Sequence, residues 1–560
     1  MTTKHLNKAL IAVLGSLFLW TGCQDLEVEN PNAPDRSQAL ANTGDVKALI
    51  GGAYRNIWDI QQLVNPNAAL SVMADNHTAS WGNFGMRSSS TEPRTAWNNS
   101  PTFTYADVTE SPWYAAYGAI IAASDGMNAL ETVTFAGDSN CQATCSRAFA
   151  RWMQGMAHAY VGLLFDKGFV VDETDLPVTG ETELELQPYP QVMQAAFGYM
   201  QQALELANNN SFTLPTSWIN GRAISSDQMA RLINSYMARF RSQWPRSPDE
   251  ADQVDWEAVE THVDNGIESD FAPVGVVGYT GPIWFSEQRV YIAQLSSTWS
   301  RLDLRWLGQG DVDGDWADWE NTAPAAKQPF LVNTPDRRIT QGVDQPTTSG
   351  SYVSYWEGIP FNPGRGTWHF SNYADSRWPF YTTGPDPIEI TVVEQQLIKA
   401  EALLEQGERQ AAADIINDTR EGNGELPAVT VDGVPDGENC VPRNLDGTCG
   451  DLMEALQWEK RMETFALTVG EAFFDDRKWG DLYTGTPVHF PVPGAELDVL
   501  QKEIYTFGGD AGGAAPSITR DELAEMSAME RVEMSREAMQ AMHRKRLSEL
   551  EEPSVAVERK

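Results

Sequence analysis

Over much of this chain apolar residues recur every three or four positions, the spacing that gathers them on one face of an α-helix. Helices are predicted over Val46 to Ile60 and Pro112 to Leu130. A third runs from Ser146 to Phe165, with Phe149, Met153, Met156, Tyr160 and Leu164 on one face. A fourth covers Pro190 to Ala207 through Val192, Ala196, Met200 and Leu204, and Ser226 to Trp244 and Trp256 to Ile267 continue the pattern. Between roughly 272 and 390 the periodicity fades and Gly, Pro, Trp, Thr and Asn become dense. That predicts irregular loops with short strands, and long loops in a large domain are frequent places for binding.

Helical spacing returns at Thr391, with Val393, Leu397, Ala400 and Leu404 expected on one face. Gly407 suits the left-handed position that closes a helix. Ala411 to Asn417 then opens another, with Ala412, Ile415 and Ile416 apolar. A glycine turn followed by a small residue is the pattern of a tetratricopeptide-type helical hairpin, although no strict period of about 34 residues is visible. After Asp451 a helix is predicted to about Gly470. Near the end, Thr519 to Glu522 fits a capping box ahead of Leu523, Met526, Met529, Val532, Met539 and Met542, the stripe of a charged amphipathic helix.

The first residues have a different logic. Lys4, His5 and Lys8 precede an apolar run from Ala9 to Trp20, which has the length of a signal-peptide core and is too short to span a bilayer. The run Leu19-Trp20-Thr21-Gly22-Cys23 places a small residue directly before a cysteine, the lipoprotein arrangement. Cleavage before Cys23 would leave its thiol to carry lipid. Residues 1–22 are therefore expected to be a signal peptide, and 23–42, with Pro31 and Pro34, a lipidated tether. Beyond it lie a helical region at 43–270, a loop-rich insert at 271–390, a second helical region at 391–505, and a tail at 506–560.

Composition narrows the partners. The net charge is −38, and the 40 basic residues comprise 11 Lys and 29 Arg against 78 acidic residues. No basic patch stands out to neutralise phosphates, which argues against nucleic acid and against anionic lipid heads. Low lysine beside a large acidic excess also suits a salt-rich habitat, where solvated carboxylates keep a protein soluble. With Cys23 lipidated, four cysteines remain: Cys141, Cys145, Cys440 and Cys449. Four allow three pairings, of which the two local ones are favoured, and such bridges belong to an oxidising compartment. The spacing does not suit the usual zinc motifs.

Taken in order, several short segments resemble the SusD/RagB family of surface lipoproteins across roughly 23 to 500. They begin with the acidic run after Cys23, Gln24-Asp25-Leu26-Glu27-Val28-Glu29, then Asn30-Pro31-Asn32 and Ile50-Gly51-Gly52-Ala53-Tyr54. Arg147-Ala148-Phe149 to Gly168, Gly221-Arg222-Ala223 and Asp255-Trp256 follow. The most specific are Glu394 to Ala402 with Asn417, Arg420 and Gly422, and Trp458-Glu459-Lys460-Arg461 to Glu471, ending in Asp476-Arg477-Lys478-Trp479-Gly480. Pro491-Val492-Pro493 and Glu496-Leu497 close the series; the tail beyond about 505 departs from the family's ending. The resemblance implies a mostly α fold: a tetratricopeptide-like helical-hairpin scaffold with a large irregular loop-rich region and few short strands. It also implies a lipid-anchored protein outside the outer membrane of a Gram-negative, Bacteroidota-like cell. There it would bind nutrient oligomers, usually glycans and in some members peptides, and deliver them to a TonB-dependent, SusC-like transporter without chemistry.

A glycan binder needs flat aromatic faces for sugar rings, with amides, carboxylates and guanidiniums for hydroxyls. The segment from Asp75 and Asn76 through Trp81, Phe84, Arg87, Trp97, Asn98 and Asn99 supplies every type, and Trp284, Trp316, Trp319 and Trp356 are candidates from the middle region. No cofactor is required. Calcium is the one candidate, at Asp311, Asp313 and Asp315, where carboxylates alternate but an EF-hand pattern fails, since Trp316 stands where glycine belongs. No His-Glu-x-x-His, Gly-x-Ser-x-Gly or phosphate-loop motif occurs, and the chain is expected not to be an enzyme. The competing expectation is a helical-repeat assembly or peptide-binding surface protein with no glycan ligand.

Overall fold

The computed structural model describes residues 40, 42–79, 83–135, 141–176, 184–275, 284–287, 289, 300–357, 371–377 and 385–509. The signal peptide, Cys23 and the tether up to 39, Trp81, and the tail from 510 lie outside them. Asn42 opens helix α1 (Thr43–Gln62) by accepting from the Asp45 amide, and Val46, Ile50, Tyr54, Ile57 and Trp58 form its buried face. α2 (Val64–Met73) and the three-residue strand β1 (His77–Ala79) follow. Next come α3 (Asp107–Leu130) and α4 (Ala143–Leu164), which starts beside the Cys141–Cys145 disulfide. A hairpin of β2 (Lys167–Phe169) and β3 (Leu186–Pro188) leads into α5 (Tyr189–Asn209). α6 (Ser226–Gln243) begins with a full capping box between Ser225 and Gln228, and α7 (Trp256–Asp264) is capped by Asp255.

Each of these long helices packs on its neighbours: α1 on α3, α3 on α4, α4 on α5, α5 on α6, and α6 on α7. α4 and α5 approach closely because two glycines face the partner. A Cβ on Gly155 would stand 2.4 Å from Met200, and one on Gly162 would stand 2.6 Å from Met193. The core so formed runs from Val46 to Leu497, because the C-terminal segment returns to it. There Phe490 exchanges backbone hydrogen bonds with Leu164 and Asp166 at 2.8 and 3.0 Å.

Among its described residues the middle region holds short strands and short helical turns between irregular loops. β4 (Ser300–Leu302) pairs antiparallel with β1, Leu302 opposite His77. β5 (Val353–Tyr355) pairs with β6 (Tyr373–Asp375), Val353 opposite Asp375. The second helical region then stacks on the first, α8 (Val392–Glu405) against α7, and α9 (Arg409–Gly422) against α8. The turn between α8 and α9 is closed as expected: Gly407 has φ +83°, with Gly407 N–H on Leu404 O and Glu408 N–H on Leu403 O.

Two sequence expectations change here. Val393 is exposed, and the buried side of α8 carries Glu394 and Glu401 beside Leu397 and Ile398. The helix after Asp451 ends early, as α10 (Leu452–Thr464). A loop then leads to Gly470 (φ +63°), which opens α11 (Glu471–Trp479).

The first change has a plain cause: the interior holds paired charges that a hydrophobic pattern does not see. Lys460 bonds Glu401 at 3.1 Å and Asp475 at 2.8 Å; Lys478 bonds the same two carboxylates, and Trp479 Nε1 donates to Glu401. Burial would raise the Glu401 carboxyl, but Lys460 and Lys478 outweigh it and hold it down at about 2. Arg338 spans Asp336, Glu459 and Glu463, and Arg239 chelates Glu394. Among the described residues no helix is long and apolar enough to cross a membrane.

Lys460→Met would leave two buried carboxylates on a single lysine, and should cost about 3–5 kcal/mol, measured as a lower urea midpoint. Glu389 makes a second test. Burial raises its carboxyl to about 7, although the Tyr54 and Tyr236 hydroxyls that donate to it act the other way. The folded state therefore keeps a proton that the unfolded chain loses, so stability falls as pH rises from about 4.5 to about 7. Glu389→Gln should flatten that part of the thermal-midpoint profile by up to about 3 kcal/mol.

Candidate functional site

A cleft of about 310 Å³ opens beside α10 and α11, between the 304–320 stretch and the hairpin around Cys440 and Cys449. Its floor is aromatic. Trp306 is buried and stacks on Phe465, ring centroids 5.0 Å apart. Trp316 is half-buried on a short helix, Asp315–Glu320, that starts after Gly314 at φ +90°. Asp311 sets up that start by accepting from Gly314 N–H at 2.9 Å and Asn333 N–H at 3.1 Å. The indole rests on Gly308, where an added Cβ would stand 2.1 Å from Trp316 Cδ1. Glycine at 308 is therefore what lets this ring lie in place.

The lip is the hairpin. The Cys440–Cys449 disulfide closes it, and Arg443 pairs with Cys449. Asn444 N–H bonds Thr448 O at 2.9 Å, and Gly447 takes the left-handed position, φ +86°, of the turn. Leu445 at the tip is 48% exposed. Arg443 ties the hairpin to the floor segment: its amide donates to Gln309 O and its guanidinium to Val312 O, both at 2.8 Å.

The walls are polar. Arg461 donates to Asp476 at 2.7 Å, Asp481 at 3.0 Å and Gln309 Oε1 at 3.2 Å. Burial raises the Asp476 carboxyl to about 7 even against Arg461. Arg305 bonds Asp75 at 2.9 Å, Glu92 at 2.7 Å and Glu320 at 3.0 Å, and lies 4.6 Å from the Tyr483 ring centroid. Burial works against the Arg305 charge, but Asp75 and Glu92 outweigh it and hold its pKa above the ordinary value. Asp75 itself sits at φ +50° and also holds Arg94 at 2.8 Å. The Gln457 amide, the Asn444 amide and Glu454 add hydrogen-bonding groups to the same cleft. Flat aromatic area beneath planar polar groups is an arrangement for holding a polyhydroxylated ring.

Of the sequence candidates, the cleft gathers Asp75 and Trp316. Trp97 does not face it: it is 5% exposed and packs edge-on against Phe103 and Phe490 in the main core. Neighbouring Asn99 is likewise buried, donating to Val492 O and Tyr505 O, so this part of the 75–99 segment is a seam to the returning C-terminal segment. Arg87 and Asn98 are exposed away from the cleft lining. Trp284 lies elsewhere, stacked near Tyr54 and under Arg55. Trp356 is 40% exposed after β5, and Trp319 is core, covered by Lys327. Trp81 falls outside the described residues. Asp313 accepts from the Asn333 amide and Asp315 is exposed. Among the described residues no group of three or more His, Cys, Asp or Glu is gathered to hold a metal ion.

Sequence reasoning missed the hairpin residues and the α10 face. The Gly/Pro/Asn/Asp-rich stretch between Cys440 and Cys449 was the available signal. Both local disulfides are present.

No protein-family model matches the chain, and no curated protein does. Among solved structures, the chain is similar to a SusD superfamily protein from Bacteroides vulgatus, at 13% identity over 81% of this chain and 96% of that one, TM-score 0.49. It is also similar to a laminarin-binding SusD-like protein, at 13% identity over 83% and 99%, TM-score 0.47. A third is surface glycan-binding protein A from Bacteroides uniformis, at 12% identity over 82% and 98%, TM-score 0.48.

Replacing Cys440 and Cys449 together by Ser should cost about 2–3 kcal/mol and release the lip. Tryptic cleavage after Arg443, followed by mass spectrometry under native conditions, should then appear in the variant and not in the parent.

Proposed function

We propose that this protein is a non-catalytic cell-surface capture protein that holds glycan oligomers in the cleft floored by Trp306 and Trp316. The observation that carries this reading is the fixed, half-buried Trp316 indole on Gly308, opposite the exposed Leu445 of the hairpin lip and flanked by amides and carboxylates. A ring seated there would bury its C–H face on the indole and turn its hydroxyls to Gln457, Asn444 and Asp481. The cleft holds rather than cuts because its carboxylates are engaged. Asp476 and Asp481 serve Arg461, Asp75 and Glu320 serve Arg305, and Glu454 accepts from the Asp451 amide and Asn444. Glycoside hydrolysis needs two carboxyl groups free to face one bond.

The wider role follows from the resemblance of the ordered motifs between Cys23 and Leu497 to SusD/RagB lipoproteins. Cys23 carries the lipid anchor, the body stands outside the outer membrane, and captured oligomers pass to a SusC-like TonB-dependent transporter.

Affinity electrophoresis of the purified protein against a polysaccharide panel tests this reading. At least one glycan should retard the parent, with no reducing ends released. Trp316→Ala should weaken that binding about tenfold or more. Retardation unchanged by Trp316→Ala would place the site elsewhere. Release of reducing ends would make the protein an enzyme.

A further inference from the structure

A much smaller cavity lies where α2 meets the loop before α11. Its volume is about 30 Å³, and about 10–15 Å³ is enough for one water molecule. It therefore has room for an ion or one or two waters, and for no organic ligand. Leu70 and Phe473 give it apolar walls. Four polar side chains enter from four places in the chain: Asn67 on α2, Asn76 just before β1, Thr468 in the loop, and Glu471, the first residue of α11. Each is at most 5% exposed. Asn67 Oδ1, Asn76 Oδ1, Thr468 Oγ1 and both Glu471 carboxylate oxygens have no hydrogen-bond partner among the described residues. The Asn67 amide is fixed in this orientation, because its Nδ2 donates to Leu63 O at 2.7 Å. Buried oxygens without partners are costly, and a buried carboxylate without a counter-charge costs more.

The charges around Glu471 do not balance. Arg239 stands 3.8 Å from it but already chelates Glu394. Burial first, then the charge of Glu394, push the Glu471 carboxyl well above the ordinary carboxylate range, against the pull of Arg239. Arg461 also lines the cavity, but its three nitrogens are bonded to Asp476, Asp481 and Gln309. Two acids thus share one guanidinium, and the balance calls for one more positive charge. Water can donate hydrogens to these oxygens but brings no charge. A monovalent metal ion takes lone pairs from all of them and supplies the charge. Calcium takes about 6–8 oxygens, usually with several carboxylates, and magnesium keeps waters that this volume does not hold.

We propose that this cavity binds one sodium ion, held by Asn67 Oδ1, Asn76 Oδ1, Thr468 Oγ1 and the Glu471 carboxylate. The ion ties α2 to the start of α11. Phe465 lines the same cavity and stacks on Trp306, so the ion also backs the floor of the cleft. The net charge of −38 draws cations toward the protein.

The test is thermal unfolding of the full protein at equal ionic strength in sodium chloride, in choline chloride, whose bulky cation does not fit the cavity, and in choline chloride with added calcium chloride. The midpoint should be about 2 °C or more higher in sodium than in choline, and the rise should saturate as sodium increases. Glu471→Gln keeps the shape of the side chain and removes its charge, and should abolish the difference. Thr468→Val leaves every charge in place, and should raise the sodium concentration that gives half the rise about threefold or more. Equal midpoints for the parent in sodium and choline would overturn the proposal and leave only water in the cavity. A sodium effect that survives Glu471→Gln, or a larger rise with calcium than with sodium, would overturn it as well. Should Glu471→Gln fail to fold, Thr468→Val decides: an unchanged sodium titration in that variant overturns the proposal.

Discussion

One helix holds the protein's parts together through buried charge. On α10, Glu459, Lys460, Arg461 and Glu463 between them reach α8, α9, α11 and the middle region. Glu459 takes Arg338 from the middle region and Thr419 from α9; Lys460 takes Glu401 from α8 and Asp475 from α11. Arg461 takes Asp476 and the segment after α11, and Glu463 takes Tyr352 and Asn423. Trp458 adds a bond from Nε1 to Asp336 at 3.0 Å. A buried charge is tolerated only where its partner stands in one geometry, so such pairs act as a key for the arrangement as much as a source of stability. Apolar contacts could hold α8, α9 and α11 against α10 in several registers. The ion pairs accept one.

The same network builds the cleft. Arg461 and Asp476 are members of the interior cluster and also line the cleft wall. Arg305 plays the equivalent part on the other side, joining Asp75 near β1 to Glu320 on the Trp316 helix. The site's walls are thus extensions of the framework, with rotamers fixed by pairs that would have to break for the cleft to change shape. The hairpin lip is held differently, by a disulfide and by the bonds of Arg443 to the floor. A rigid floor and walls under a covalently closed lip favour a preformed site, which lowers the entropy lost when a ligand is ordered.

Burial also explains why the segment richest in sugar-binding residue types is divided in use. Asp75 reaches the cleft because it sits at the end of α2, beside β1, where Arg94 and Arg305 converge. Twenty-odd residues later, Trp97 and Asn99 meet the returning C-terminal segment at Phe490, Val492 and Tyr505 and serve as packing. Residue type said nothing about which side of the chain would be covered by a segment almost 400 positions away.

Helical periodicity, the glycine turn at Gly407, the loop-rich middle and the two local disulfides were all determined by the sequence, because each depends on residues within about two turns of one another. The motif from Trp458 to Gly480 was visible as a pattern, but its meaning was not: its charged residues look like a solvated face until their partners on α8, α9 and the middle region are in place. Which tryptophan reached the cleft and which the core was decided by tertiary structure alone. Trp316 is half-buried at the cleft because Gly308 leaves room for its ring. Trp97 is closed because the distant C-terminal segment packs over it. Exposure is a property of what arrives from elsewhere in the chain, and local sequence carries no record of that.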